Sequence, residues 1–172
     1  MKALSRWGTW FVLYILALVV QTAFLPEFFP TGYVPSVVLP VTVLIGLDET
    51  PARALWAGFT GGLLEDILAG RLIGLNALTY ALLGWAIAKL RPRIVRDAVF
   101  VPGILAGLSQ LVVPPFQWVL VRLSGDAVPW MTFMRPVPDW ILFAMLVTPA
   151  LGGILELFPK IAPPRHHSYR SG

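Results

Sequence analysis

An all-α integral membrane protein with six transmembrane helices is the fold class this sequence predicts, and three observations predict it. The 172 residues are 57% hydrophobic and only 13% charged, outside the usual composition of a soluble domain of this length. The apolar residues fall into runs of spanning length. No polar stretch is long enough to build a separate soluble domain, so residues 1–172 read as a single transmembrane domain.

A span needs roughly 20 apolar residues, which places helices near 7–25, 34–47, 52–70, 73–90, 98–121 and 138–158. The first follows a basic N-terminus, as a signal peptide would. It is long enough to span and no small-residue cleavage site follows it, so it reads as a retained helix. The second is short and contains Pro40, which predicts a thin, tilted or partly re-entrant segment, with five spans as the alternative count.

Basic residues orient the bundle, because Lys and Arg in short loops stay on the cytoplasmic side. Six spans with both ends inside put ten of the 13 basic residues in the cytoplasm and leave only Arg71, Arg122 and Arg135 outside. That split favours N-in/C-in and an even number of spans. Lys89, Arg91, Arg93 and Arg96, in the loop "KLRPRIVRD", are the strongest topology anchors; they predict contact with lipid headgroups and no nucleic-acid site. Trp7, Trp10, Trp85, Trp118, Trp130 and Trp140 fall near helix ends, where indoles favour the interface.

The chemistry of catalysis is missing from the pattern. There is no cysteine, the two histidines are adjacent in a polar tail, and no metalloprotease, serine-hydrolase or phosphate-loop motif occurs. No metal or cofactor is implied, and a non-enzyme is expected.

The third helix is where the sequence becomes specific. On a 3.6-residue repeat, Gly58, Gly61, Gly62 and Glu65 share one side, while Trp56, Phe59, Leu63 and Ile67 take the other. Small residues four apart let helix backbones approach closely, so this side predicts helix packing with Glu65 central to the contact. Asp66 lies about 100° further round, at the edge of the strip. The two carboxylates sit at the helix C-terminus, where the dipole disfavours negative charge. They either fix the turn into the fourth helix or form part of an outward-facing polar cluster, for which Arg71, Asn76 and Gln110 are the other candidates.

Gly74, Ala77, Ala81 and Gly84 give the fourth helix a matching surface, and the short turn "AGRLIG" makes helices three and four an antiparallel hairpin. In the fifth, Gly103, Gly107, Gln110, Pro114 and Gln117 form a small-polar stripe facing protein. Pro114 and Pro115 there predict a kink or break.

The stretch from Gly58 to Tyr80, GF-x-GGLL-x-D-x-L-x-G-x-x-x-GLNAL-x-Y, resembles the MreD family, the small rod shape-determining membrane proteins of bacteria. Gln21-Thr22 at the end of the first helix and the Pro opening the second extend the resemblance. Pro35 is followed by Ser36 where the family pattern has Asp, which puts any charge-dependent role there in doubt.

The resemblance implies a non-catalytic component of the cell-elongation complex in the bacterial inner membrane, with a fold like the substrate-binding components of vitamin transporters. It also implies association with MreC, and through MreC with MreB, RodA and a class B penicillin-binding protein. Beside it, the glycine surfaces favour a scaffold that grips a single partner helix, and membrane lipids or a second copy of the chain are further candidate partners. The rival reading is a small-solute-binding component of a transporter, with Glu65, Asp66, Asn76 and Gln110 lining an outward cavity. Catalysis by Glu65 and Asp66 is disfavoured, because adjacent helical residues diverge.

Overall fold

The computed structural model describes residues 2–29, 33–70, 72–93 and 100–157, and these residues are helical with short connections and no strand. Helix α1 (Lys2–Val19) continues through a π-helical turn (Val20–Phe24) into a last turn, Leu25–Phe28. There follow α2 (Val38–Asp48), α3 (Pro51–Ala69), α4 (Leu75–Leu90), α5 (Val101–Leu123) and α6 (Val137–Leu157), with a short helix, Trp130–Met134, leading into α6. Segments Trp7–Phe28, Val101–Leu123 and Trp130–Leu155 are long and apolar enough to cross a membrane, whereas α2 and α4 are shorter apolar helices.

The expected second helix is shorter than its hydropathy suggested. Its first four residues, 34–37, are not α-helical, and α2 has only 11 residues, about 16 Å of rise. That is half a hydrocarbon core. Every residue from Val38 to Leu47 is buried, and α2 touches all five other helices. The approach at 33–37 is not helical, so its backbone groups need partners elsewhere in the protein, and the acceptor for the Val37 amide belongs to the candidate site.

Around α2 the helices close on glycine. The α3–α4 pair is antiparallel in a regular register. A Cβ at Gly58 would strike the Tyr80 carbonyl, one at Gly62 the Asn76 carbonyl, and one at Gly84 would lie 2.6 Å from the Ala54 oxygen. Each step of four along α3 is a step of four back along α4. Ala77 and Ala81 are buried in the same seam. Gly61 looks elsewhere: a Cβ there would sit 2.5 Å from the ring of Tyr14 on α1. Gly103 and Gly107 form the equivalent contact between α5 and α6, against Met145 and Pro149.

The glycine surfaces read from sequence are therefore helix contacts, but they are filled by this chain's own helices and leave no groove for a partner. Gly74 is a correction to that reading. It has φ +102 and nothing within 4 Å of a built Cβ, so it serves the turn into α4 and not a packing face. Helix α5 runs unbroken through Pro114 and Pro115.

Trp10 is a second correction. It is only 5% exposed, and its Nε1 donates to Glu49 Oε1 at 3.2 Å, so it belongs to the core and not to an interfacial belt. Glu49 also accepts from Arg53 Nη1 at 3.4 Å. Among the expected topology anchors, Arg91 has a specific structural role, donating from Nη1 to the carbonyls of Asp48 (2.9 Å) and Glu49 (3.2 Å). It thereby satisfies acceptors at the C-terminus of α2. Lys89 lies 4.7 Å over the Trp85 ring. Arg96 and the side chain of Arg93 lie outside the described residues.

Candidate functional site: a polar cluster and cavity where α3 turns into α4

The register that pairs Gly58 with Tyr80 and Gly62 with Asn76 brings the next turn of α3 to the start of α4. Asp66 occupies that position and is fully buried. Its Oδ2 accepts the amides of Gly74 (2.8 Å), Asn76 (3.1 Å) and Ala77 (3.2 Å), and Oδ1 also lies 3.1 Å from the Asn76 amide. A helix start leaves its first amides without intrahelical partners and carries a positive dipole end. Asp66 meets both needs. The carboxylate that looked unfavourable at the end of α3 is stabilised by the beginning of α4, a relation invisible from α3 alone.

Glu65 faces a different neighbourhood, one turn of 100° away. It is 7% exposed, and its partners are neutral: Gln21 Nε2 donates to Oε1 at 2.8 Å and Ser36 Oγ donates to Oε2 at 3.1 Å. Tyr80 hydroxyl donates to Ser36 Oγ at 3.1 Å. Gln21 also accepts the Val37 amide at 2.8 Å, and Ser36 Oγ accepts the Leu39 amide at 3.3 Å. One network thus ties α1, the approach to α2, α3 and α4 together. It satisfies the Val37 amide at the end of the non-helical approach and the Leu39 amide in the first turn of α2.

Two features of the network escaped the sequence reading. Gln21 lies in the π-helical turn, where the Leu25 amide bonds back to the Val20 carbonyl and Pro26 follows without a donor. Single π turns are enriched at functional positions, but hydropathy does not reveal them. Ser36 is the residue that departs from the family pattern, yet it bridges Glu65, Tyr80 and Leu39. A polar residue closing an apolar helix, as Gln21 does, was the available signal.

A cavity of about 360 Å³ opens beside Glu65, bounded by α3, α4, α5 and the segment between α5 and α6. Asn76 lines it, and its Oδ1 accepts from Gln117 Nε2 at 2.6 Å. Gln110 lines it too, 2% exposed, and its Nε2 has no hydrogen-bond partner. Tyr33 and Trp140 also border it, and Trp140 Nε1 donates to the Tyr33 carbonyl at 3.2 Å. Of the expected polar cluster, Glu65, Asn76 and Gln110 share this cavity. Asp66 does not line it, being sealed into the α3–α4 turn. Arg71 lies outside the described residues. Among those residues no group of three or more His, Cys, Asp or Glu could hold a metal ion.

Long apolar helices, glycine-sealed seams and a buried polar network define the class of a helical membrane protein. The family model described as rod shape-determining protein MreD matches residues 1–151. The chain belongs to the MreD family, a structural, shape-determining family and not a known enzyme family. No curated protein and no solved structure matches the chain.

Proposed function

We propose that this protein is a non-catalytic, multi-pass component of the bacterial cell-elongation complex in the cytoplasmic membrane. In this reading it regulates peptidoglycan synthesis by binding the transmembrane helix of MreC. On the same reading the chain crosses six times with both ends in the cytoplasm, α2 and its extended approach at 33–37 together making the second crossing, and MreB, RodA and a class B penicillin-binding protein are reached through MreC. Membership of the shape-determining family supports the cellular role.

One structural observation supports partner-helix binding and relocates it. With Gly58, Gly62, Gly84, Gly103 and Gly107 consumed internally, a partner helix needs one of the exposed apolar faces, and the stripe Leu142, Leu146, Ala150 and Gly153 on α6 is one that keeps small residues at its end. A built Cβ at Gly153 meets nothing within 4 Å. Helices associate in lipid through close packing at small residues, and this stripe ends in two of them on an outward face.

Site-directed crosslinking in membranes, with photoreactive residues at Leu142, Leu146 and Gly153 and controls on the exposed faces of α3 and α4, tests the assignment. Crosslinks from the α6 positions to the MreC span are expected, together with loss of copurification in Ala150→Trp/Gly153→Leu protein that still folds. Undiminished copurification of that folded double variant would remove α6 as the binding surface.

A further inference from the structure

Asp66 and Glu65 are neighbours in sequence with unequal electrostatic provision. Asp66 has three backbone amides and a helix N-terminus, whereas Glu65 has Gln21 and Ser36, both neutral, and no cationic partner among the described residues. A buried carboxylate in a membrane bundle is costly while its charge is unbalanced, because both the lipid and the protein interior screen it poorly, and a cation beside it removes that cost.

The cavity beside Glu65 has the character to admit such a charge. Its described lining contains two carboxylates, Glu65 and Asp126, and no basic side chain, so it repels anions. Phe133, Tyr33 and Trp140 add aromatic surfaces of the kind that attract cations. Its volume, about 360 Å³, lies within the range of small-molecule pockets.

Gln110 is the second, independent observation. Its amide is nine-tenths buried and more, it lines this cavity, and Nε2 has no partner. Buried polar groups left unsatisfied by protein are uncommon and point to a missing partner. A half-turn of the amide presents either its donor or its acceptor to the cavity.

We propose that this cavity binds a small organic ammonium group, held by the Glu65 carboxylate, with the Gln110 amide hydrogen-bonding an oxygen adjacent to it. The chemistry is that of an amino alcohol, whether free in solution or carried as the ethanolamine headgroup of a phospholipid. The inference does not depend on the α6 stripe or on MreC.

Full-length protein in detergent, titrated with ethanolamine against matched sodium chloride, glycerol and sodium acetate, provides the first test. Ethanolamine alone should raise the apparent melting temperature saturably. Glu65→Gln, which keeps hydrogen-bonding capacity and removes the charge, should raise the ethanolamine concentration needed for that response roughly thirtyfold or more. Gln110→Leu should melt higher than the parent without ligand, because the orphaned amide is gone, and respond less to ethanolamine.

Saturation-transfer NMR of ethanolamine on the unmodified protein keeps the test independent of any variant's folding. Native mass spectrometry from nanodiscs with and without phosphatidylethanolamine separates the sources: Glu65-dependent retention of that lipid assigns the headgroup, and a response to free ethanolamine alone assigns the soluble amine. Responses to sodium chloride or glycerol equal to that of ethanolamine would overturn the proposal. So would binding unaffected by Glu65→Gln, or no transfer and no retained lipid, which would leave the cavity to water.

Discussion

Gly84 and Ala54 meet backbone to backbone: a Cβ added to Gly84 would stand 2.6 Å from the Ala54 carbonyl oxygen. Since that oxygen belongs to a helix and cannot move aside, a methyl group must separate α3 from α4. Gly84→Ala, Gly58→Ala and Gly62→Ala are each expected to destabilise the fold by about 1–3 kcal/mol. Gly8→Ala on the open face of α1, where nothing lies within 4 Å, should be neutral or stabilising by up to about 1 kcal/mol. Thermal unfolding in detergent, compared across the four variants, gives the ranking.

Removing the Asp66 carboxylate strands three amides at the start of α4. Asp66→Ala should cost about 3 kcal/mol, with Asp66→Asn falling between it and the parent because one acceptor oxygen survives. Glu65→Gln retains acceptor and donor capacity and should fold better than Asp66→Ala. Equal melting temperatures for Asp66→Ala and the parent would show that the cap is dispensable.

At Gly70 the backbone has φ +60, and at Gly74 φ +102. Both lie in the left-handed region that a Cβ disfavours, by roughly 1–2 kcal/mol. Asn tolerates the first of these conformations better than Ala does, so Gly70→Asn should retain more stability than Gly70→Ala. A reversed order of unfolding temperatures would contradict the turn geometry.

Gln21 holds Glu65 and the Val37 amide at once. Gln21→Leu should lower stability by about 2 kcal/mol, since it leaves a buried donor and an acceptor less well satisfied. The local signature matters more than the total. Hydrogen exchange by mass spectrometry should rise at residues 33–37 and at the start of α2, and change little in the α5–α6 pair.

Local pattern carried much of this architecture. Hydropathy located the helices, and the spacing of Gly58 and Gly62 announced a close antiparallel hairpin with α4, because both depend on residues near in sequence. The truncation of α2 was not legible, since Val34 is as apolar as the residues of α2 itself, and only tertiary contacts decide where that helix starts. Nor could spacing tell that the hairpin would use up Gly58 and Gly62 and leave neither of them to a partner helix.

The site divides the same way. Glu65, Asn76 and Gln110 were legible as polar residues in apolar helices, and they do border one cavity. Their partners were not. Gln21 is 44 residues from Glu65, and Gln117 is 41 from Asn76. Asp66 looked unfavourable on its own helix because the compensating dipole belongs to the next one.

Helix α2 has a consequence for how the protein is made. Eleven residues reach about 16 Å, too short to cross the roughly 30 Å hydrocarbon layer unaided, and none of the ten from Val38 to Leu47 is left facing outward. Such a segment has little to gain from entering lipid as an independent unit. Its entry is coupled to the assembly of the helices that enclose it, so damage to the α3–α4 seam should surface first as failed biogenesis, before any loss of an assembled protein's activity.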